Sequence, residues 1–240
     1  MNVYEAKPIG ERLRGNSYAG RGIVIGQSSR CAVYAYFIMG RSENSRNRIF
    51  LQKGEDVEIC AYDPAKLADP SLIIYYPVRV LGNQTIVTNG DQTDTVYHAL
   101  QQGKSFSDAL NTRCFEPDAP NFTPRISGLL TFAEQRFSYQ MSILKSGDAA
   151  GSACNRFTYS YEPLAGIGHF LHTYVCDGNP IPTFQGEPER ITVPEEIDEF
   201  TRELWSSLDE ENKVSLFVCY QDLKTGAKEK RLINKNGGAQ

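Results

Sequence analysis

The segment C-A-V-Y-A-Y-F-I-M, Cys31 to Met39, is the longest uninterrupted apolar run in the chain, and its reading decides the fold. Its β-branched and aromatic content favours a strand, whose side chains point alternately to two faces. Both alternating sets, Cys31/Val33/Ala35/Phe37/Met39 and Ala32/Tyr34/Tyr36/Ile38, are largely apolar. A sheet with one face in water has no use for that pattern, so this strand is expected to be covered on both sides. At nine residues the run is far short of the ~20 needed for a membrane-spanning helix, and none is expected.

Outward from this segment, strand-like stretches rich in Ile, Val, Tyr and Phe recur at Arg21 to Gly26, Ile49 to Gln52, Val57 to Ala61, Leu72 to Val80 and Thr85 to Thr88. They return around Ser127 to Phe132, Phe137 to Leu144, Arg156 to Tyr161 and Gly168 to Val175. Between the two groups, Thr93 or Asp94 can cap a helix carrying Val96, Ala99 and Leu100 that ends at Gly103. Ser105-x-x-Asp108 resembles a capping box opening a second helix. Late in the chain, Thr192-x-x-Glu195 with Pro194 reads as a capping box before the apolar stripe Ile197, Phe200, Leu204 and Leu208. A hairpin, Lys213 to Tyr220 and Ala227 to Ile233, follows. With no repeat and no linker-like stretch, residues 1–240 read as a single domain of α+β type, with packed sheets and helices outside.

Composition narrows the function. Lys and Arg total 25 against 29 Asp and Glu, a net charge of −4, which argues against a nucleic-acid or anionic-membrane binder. Glu5 and Lys7 stand where a signal peptide would place its apolar region, so a cytoplasmic location is expected. Six cysteines without a C-x-x-C pair suit reduced, buried thiols. The N-x-T sequons at Asn83 and Asn121 are then accidental.

Three polar clusters stand out. G-R-S-E-N-S-R-N-R, Gly40 to Arg48, gathers Arg41, Arg46 and Arg48 with Ser42, Ser45, Asn44 and Asn47; such fixed donors suit a phosphate, or else form a solvated hairpin tip. N-G-D-Q-T-D-T, Asn89 to Thr95, offers more side chains than helix capping uses. F-E-P-D-A-P-N-F-T-P-R, Phe115 to Arg125, holds Glu116 and Asp118 in a Pro-stiffened loop. Tyr75 and Tyr76, before Pro77, should face opposite sides of a strand. His169 and His172 have a helix-like metal spacing inside a strand-like stretch, so packing or substrate contact is preferred to metal binding. The loop Asp177 to Pro188 is long enough for a lid or a surface wrap.

The order of R-G-I-V-I-G at Arg21 to Gly26, G-R-S and N-R within Gly40 to Arg48, Y-x-x-x-R at Tyr75 to Arg79, N-G-x-x-T-D-T at Asn89 to Thr95, and N-x-T-P-R-I ending at Ile126 resembles the archaeal-type IMP cyclohydrolase family. G-I-G-H-F-L-H-T-Y, with the loop after it, looks like that family's bacterial branch. The chain departs from the archaeal pattern in extra residues between Arg41 and Arg48, in Gln92, and in Phe122 before Thr123-Pro124-Arg125. The resemblance implies a four-layer αββα sandwich similar to N-terminal nucleophile hydrolases. It also implies closure of 5-formamidoimidazole-4-carboxamide ribonucleotide to inosine monophosphate, with loss of water, in de novo purine synthesis.

That chemistry asks for orientation, proton removal and stabilised oxygen charge, with no metal, cofactor or covalent nucleophile. The resemblance places Tyr75 as donor to the formyl oxygen, Glu116 as proton acceptor with Asp118 as its rival, and Arg48 as orienting cation. It assigns Arg41, Ser42 and Arg46 to phosphate, and Asn89, Gly90, Thr93, Asp94, Asn121 and Arg125 to ribose or base. The partner is a purine ribonucleotide, and a homo-oligomer is compatible with all of this. Two other readings compete: a non-catalytic purine-nucleotide-binding module, and an N-terminal nucleophile amide hydrolase, for which Met1-Asn2 offers no nucleophile.

Overall fold

Cys31–Met39 is a strand along its whole length, and every one of its residues is buried. The computed structural model describes residues 4–67 and 74–239. In chain order the first elements are α1 (Ile9–Leu13), β1 (Arg21–Gln27), β2 (Cys31–Met39), α2 (Glu43–Arg46), β3 (Arg48–Lys53) and β4 (Asp56–Ala61). Next come β5 (Val78–Leu81), β6 (Gln84–Thr88), α3 (Gln92–Gln101), α4 (Phe106–Asn111), β7 (Arg125–Ala133), β8 (Arg136–Ser146) and β9 (Cys154–Tyr161). The last are β10 (Ile167–His172), β11 (Glu189–Thr192), α5 (Ile197–Ser207), β12 (Lys213–Asp222), β13 (Lys228–Asn234) and β14 (Gly238–Ala239).

The strands form two seven-stranded sheets, ordered β11-β10-β1-β2-β12-β13-β14 and β3-β4-β5-β6-β7-β8-β9. β2 lies between β1 and β12, antiparallel to both. Its Ala32/Tyr34/Tyr36/Ile38 face joins Ile23, Phe50, Ile59, Val87, Ile126 and Phe217 in the core between the sheets. Its Val33/Ala35/Phe37/Met39 face packs with Ile9 and Leu13 of α1 and with Phe200 and Leu204 of α5. The double-sided pattern of β2 therefore has a direct structural cause. On the second sheet, Val96 of α3 and Phe106 and Leu110 of α4 pack on Ile86, Leu129 and Leu144.

The four-layer αββα sandwich, and the α+β class with it, is overturned. Of the described residues 42% are strand and 17% helix, and the body is two antiparallel sheets. The longest helix among the described residues, α5, has 11 residues and spans about 16 Å. β8 also has 11 residues but extends about 37 Å. Helices this short cover patches and cannot form layers. Loop residues Ile181 and Val193 share the outer covering of the first sheet. Much of the second sheet needs no cover, since Ser138 of β8 and Asn155, Arg156 and Thr158 of β9 are exposed.

Several local expectations also shift. Of the predicted strand Leu72 to Val80, Leu72 and Ile73 lie outside the described residues, and β5 begins only at Val78. Thr93 and Asp94 lie inside the first turn of α3, which starts at Gln92 after Asp91. The Ser105/Asp108 capping box forms as expected. The Thr192/Glu195 box does not, because Thr192 is held in β11 opposite Ile167. The carboxylate of Glu195 instead accepts hydrogen bonds from the Ser29 amide at 3.0 Å and hydroxyl at 2.6 Å. β10 stops at His172, short of Val175.

Candidate active site

Register places the starts of β1, β3 and β7 at one rim of the sandwich, with the ends of β2, β6 and β10. Arg21 pairs with Ile38, Gly22 with His172, Thr88 with Ser127 and Arg48 with Ala61. At this rim Tyr36 points between the sheets from β2, while Arg21 and Arg48 are the first residues of β1 and β3. Tyr75 precedes β5, Glu116 and Thr123 lie on the loop before β7, and Tyr174 follows β10.

The Tyr36 and Tyr75 hydroxyls are 2.7 Å apart, and Tyr75 is only 6% exposed. Its phenol is raised above the usual value by burial, against the pull of Arg48 and Arg21. Arg48 is fully buried, donating from Nε to the Ser45 carbonyl at 2.7 Å and from Nη2 to the Met39 carbonyl at 3.4 Å. Among the described residues its buried Nη1 has no hydrogen-bond partner. This anchoring follows from the one-turn helix α2, closed by the reciprocal Ser42/Ser45 box. The turn sits so close to Gly40 that a Cβ there would lie 2.7 Å from Ser45 Oγ.

Glu116 is 2% exposed, and among the described residues its Oε1 has no hydrogen-bond partner. Burial pushes its carboxyl up to about 7, opposed by Arg21, Arg125 and Arg48 and assisted by Asp118. Asp118 is engaged differently. It accepts from the Thr123 amide at 2.7 Å and from the Thr123 hydroxyl at 2.5 Å. That hydroxyl has one proton, so Tyr174, 2.5 Å away, donates to it. The loop thus spends Asp118 on its own closure and leaves Glu116 with an open oxygen.

The remaining candidates scatter around this centre. Arg41 forms an ion pair with Asp177, donates to the Gly178 carbonyl at 2.9 Å and lies over the Tyr18 ring. Ser42 caps α2. Arg46 donates to the Gly40 carbonyl at 2.9 Å and to Asn212 at 2.8 Å. The cations of this segment therefore engage different partners. Asn89 accepts from the Ile126 amide at 2.8 Å and donates to the Pro124 carbonyl at 2.8 Å, sewing the end of β6 to the approach to β7. At Gly90 a Cβ would come within 2.6 Å of Arg125 Nη1. Thr93 donates to the Gly90 carbonyl at 2.9 Å, and exposed Asp94 accepts from Arg79 at 2.7 Å. Arg125 is buried, bound to Gln92 at 2.8 Å and Asp91 at 2.6 Å. Asn121 accepts from the Ile181 amide at 3.1 Å.

The 177–188 loop is a wrap with anchors: Ile181 and Phe184 are buried, and Lys145 donates to the Phe184 carbonyl at 2.8 Å. His169 stacks on Tyr161 with centroids 3.8 Å apart and is 2.6 Å from the Tyr139 hydroxyl. Nδ1 of His172 is 2.7 Å from the Tyr174 carbonyl, so it carries the proton. Burial lowers both imidazoles to about 4.

Sequence reasoning missed Arg21, Tyr36 and Tyr174. Arg21 is 8% exposed and opens a strand, a place where an arginine usually reads as solvated. Its pKa is raised well above the usual value: burial pulls it down, but Glu116 and the phenols of Tyr18, Tyr174 and Tyr75 outweigh that. No local sequence signal marks it, since whether a carboxylate reaches it is decided by its surroundings in space. Collectively these groups supply a proton acceptor, a phenol donor and buried cations with open nitrogens, a set suited to acid–base chemistry with charge development on oxygen.

A family model described as IMP cyclohydrolase-like protein matches residues 18–226. A Methanocella arvoryzae protein named IMP cyclohydrolase is 31% identical over 119 residues, covering 48% of this chain and 58% of that protein. One of the same name from Methanococcus aeolicus is 26% identical over 193 residues, covering 76% of this chain and 86% of its own. A third, from Methanothrix thermoacetophila, is 28% identical over 118 residues, 48% of this chain and 58% of that protein. The chain thus spans little more than half of two of these relatives.

Proposed function

The chain belongs to the IMP cyclohydrolase-like family, and from that premise we propose that it closes 5-formamidoimidazole-4-carboxamide ribonucleotide to inosine monophosphate with loss of water. The observation that carries this reading is the meeting, at one rim, of the Tyr75 hydroxyl, a buried Glu116 with an open oxygen and a buried Arg48 with an open Nη1.

In this mechanism Glu116 takes a proton from the carboxamide nitrogen. That nitrogen's electron pair forms the bond to the formyl carbon, and the formyl π pair moves onto oxygen. Tyr75 donates to this oxygen as charge builds, and Glu116 returns its proton there to give a hydroxyl. The former formamide nitrogen then loses its own proton, its electron pair forms the C=N bond as the C–O bond breaks, and the oxygen leaves as water carrying both protons. Holding both reacting groups in one rotamer can supply roughly 7–11 kcal/mol of the barrier. Arg48 faces the developing charge. Arg41 serves the phosphate at the rim, and Ser42 and Arg46 act by shaping the α2 turn. Gly90 and Arg125 border the base, while Asn89 and Thr93 hold that border in place. The reading places the enzyme in the cytoplasm as a nucleotide-binding catalyst of purine synthesis; no helix among the described residues is long and apolar enough to cross a membrane.

The deciding experiment follows absorbance when purified protein meets the formylated ribonucleotide in the presence of a chelator. Stoichiometric appearance of inosine monophosphate is expected. Absence of turnover, with intact substrate recovered, overturns the reading.

A further inference from the structure

Arg21 and Glu116 are opposite charges buried at the same rim that do not touch. Among the described residues the Arg21 guanidinium makes no ion pair within 4.0 Å, and its Nε is buried without a hydrogen-bond partner. Glu116 is in the same condition at Oε1. Yet each is the other's strongest charged neighbour. A buried charge left without hydrogen bonds is costly, and proteins rarely keep one without a use for it. Two such groups of opposite charge, buried at one rim, match a ligand group that accepts at one end and donates at the other.

A primary carboxamide has that form: its carbonyl oxygen accepts and its N–H donates. We propose that Arg21 and Glu116 clamp the substrate carboxamide, with the Arg21 guanidinium on the carbonyl oxygen and the Glu116 carboxylate on the N–H. The assignment rests on the cyclohydrolase reading and adds a substrate-contacting residue to it. Its chemical consequence concerns the attacking nitrogen. When Glu116 removes the proton, the charge left on the amide spreads to the carbonyl oxygen, where Arg21 stabilises it. The nitrogen pair then closes on the formyl carbon. Arg48 and Tyr75 remain for the other oxygen, so the two buried arginines serve different ends of one reaction.

Tyr18 and Tyr174 stack at 5.8 Å and both face Arg21. Glu116 is faced by Arg21 from β1, Arg48 from β3, Arg125 from β7 and Asp118 from its own loop.

The product keeps the same donor and acceptor in its lactam, N1–H and the 6-oxygen, which gives a binding test alongside turnover. Arg21→Gln should lower kcat about a hundredfold and raise KM by about the factor lost in product binding, since the substrate carboxamide oxygen loses the same contact. It should weaken inosine monophosphate at least about tenfold, the size of one lost charged hydrogen bond. The same variant should bind purine ribonucleoside monophosphate, which lacks the 6-oxygen, within about twofold of wild type, the scatter expected where no contact is lost. Arg21→Lys keeps the charge and, should the Gln variant not fold, carries the test with an intermediate loss. Wild-type kcat in either variant, or equal weakening of both nucleotides, overturns the clamp while leaving the cyclohydrolase reading in place. A wild type that neither turns over nor binds inosine monophosphate overturns that reading and the clamp with it.

Discussion

The hydroxyls of Tyr36 and Tyr75 lie 2.7 Å apart between the two sheets, and Tyr36 is completely buried. One proton joins them. If Tyr36 supplies it, the proton of Tyr75 stays available for a ligand and the pair acts as a polarised chain. Tyr75→Phe should therefore cut kcat about a hundredfold with little change in KM. Tyr36→Phe should cost about tenfold, and nothing further in the Tyr75→Phe background, because the two act as a unit. Steady-state kinetics of the four proteins check this; additive losses would separate the residues.

Glu116 and Asp118 should fail in different ways. Glu116→Gln should abolish turnover while product binding persists. Asp118→Asn should weaken the loop that Asp118 ties to Thr123, costing about 1–3 kcal/mol of stability. Thermal melts beside turnover numbers distinguish the two. Loss of turnover in Asp118→Asn with activity kept in Glu116→Gln would reverse the roles.

The raised carboxyl of Glu116 has two pH consequences. A base must be ionised to accept a proton, so kcat should fall as pH drops through about 7. For stability, the folded value lies above the ordinary 4.5, so the unfolded chain releases this proton first. The stabilisation is whole below about 4.5 and lost as pH rises through about 7, a loss of about 3 kcal/mol. Glu116→Gln removes this dependence and should melt higher than wild type at pH ~8, with the gap closing toward pH ~4.5. Parallel melts across that range check it.

Arg41→Ala should raise KM about tenfold with kcat nearly unchanged, as for a contact equally strong in ground and transition states. Arg46→Ala removes the bonds to Gly40 and Asn212. It should loosen the turn that anchors Arg48, so its loss should fall on kcat. Initial-rate kinetics separate them, and the same KM effect in both would return Arg46 to the phosphate.

What the sequence revealed depended on range. The two faces of β2 are written in ten consecutive residues or fewer, and the Ser105/Asp108 box is local; both read correctly. The Thr192/Glu195 box failed because a competing strand pairing with Ile167 claimed Thr192. The helical stripes were real, but their patterns do not state how much sheet they cover, so the layers they suggested do not form. The resemblance pointed to Arg48, Tyr75 and Glu116, which the fold gathers at one rim. It gave no role to Arg21, whose isolation is a property of its surroundings in space. Nor could the sequence separate Glu116 from Asp118, which differ in that Thr123 hydrogen-bonds to Asp118.

The position of β2 between β1 and β12 has a consequence for biogenesis. Its first neighbour, β1, directly precedes it in the chain, but the second, Lys213–Asp222, is synthesised only long after it. Until then a nine-residue apolar strand carries one unpaired edge, the condition under which nascent chains adhere to one another. Chaperone supply and growth temperature should therefore govern the soluble yield of this protein more strongly than its finished stability does, and truncations that remove β12 should accumulate as aggregates.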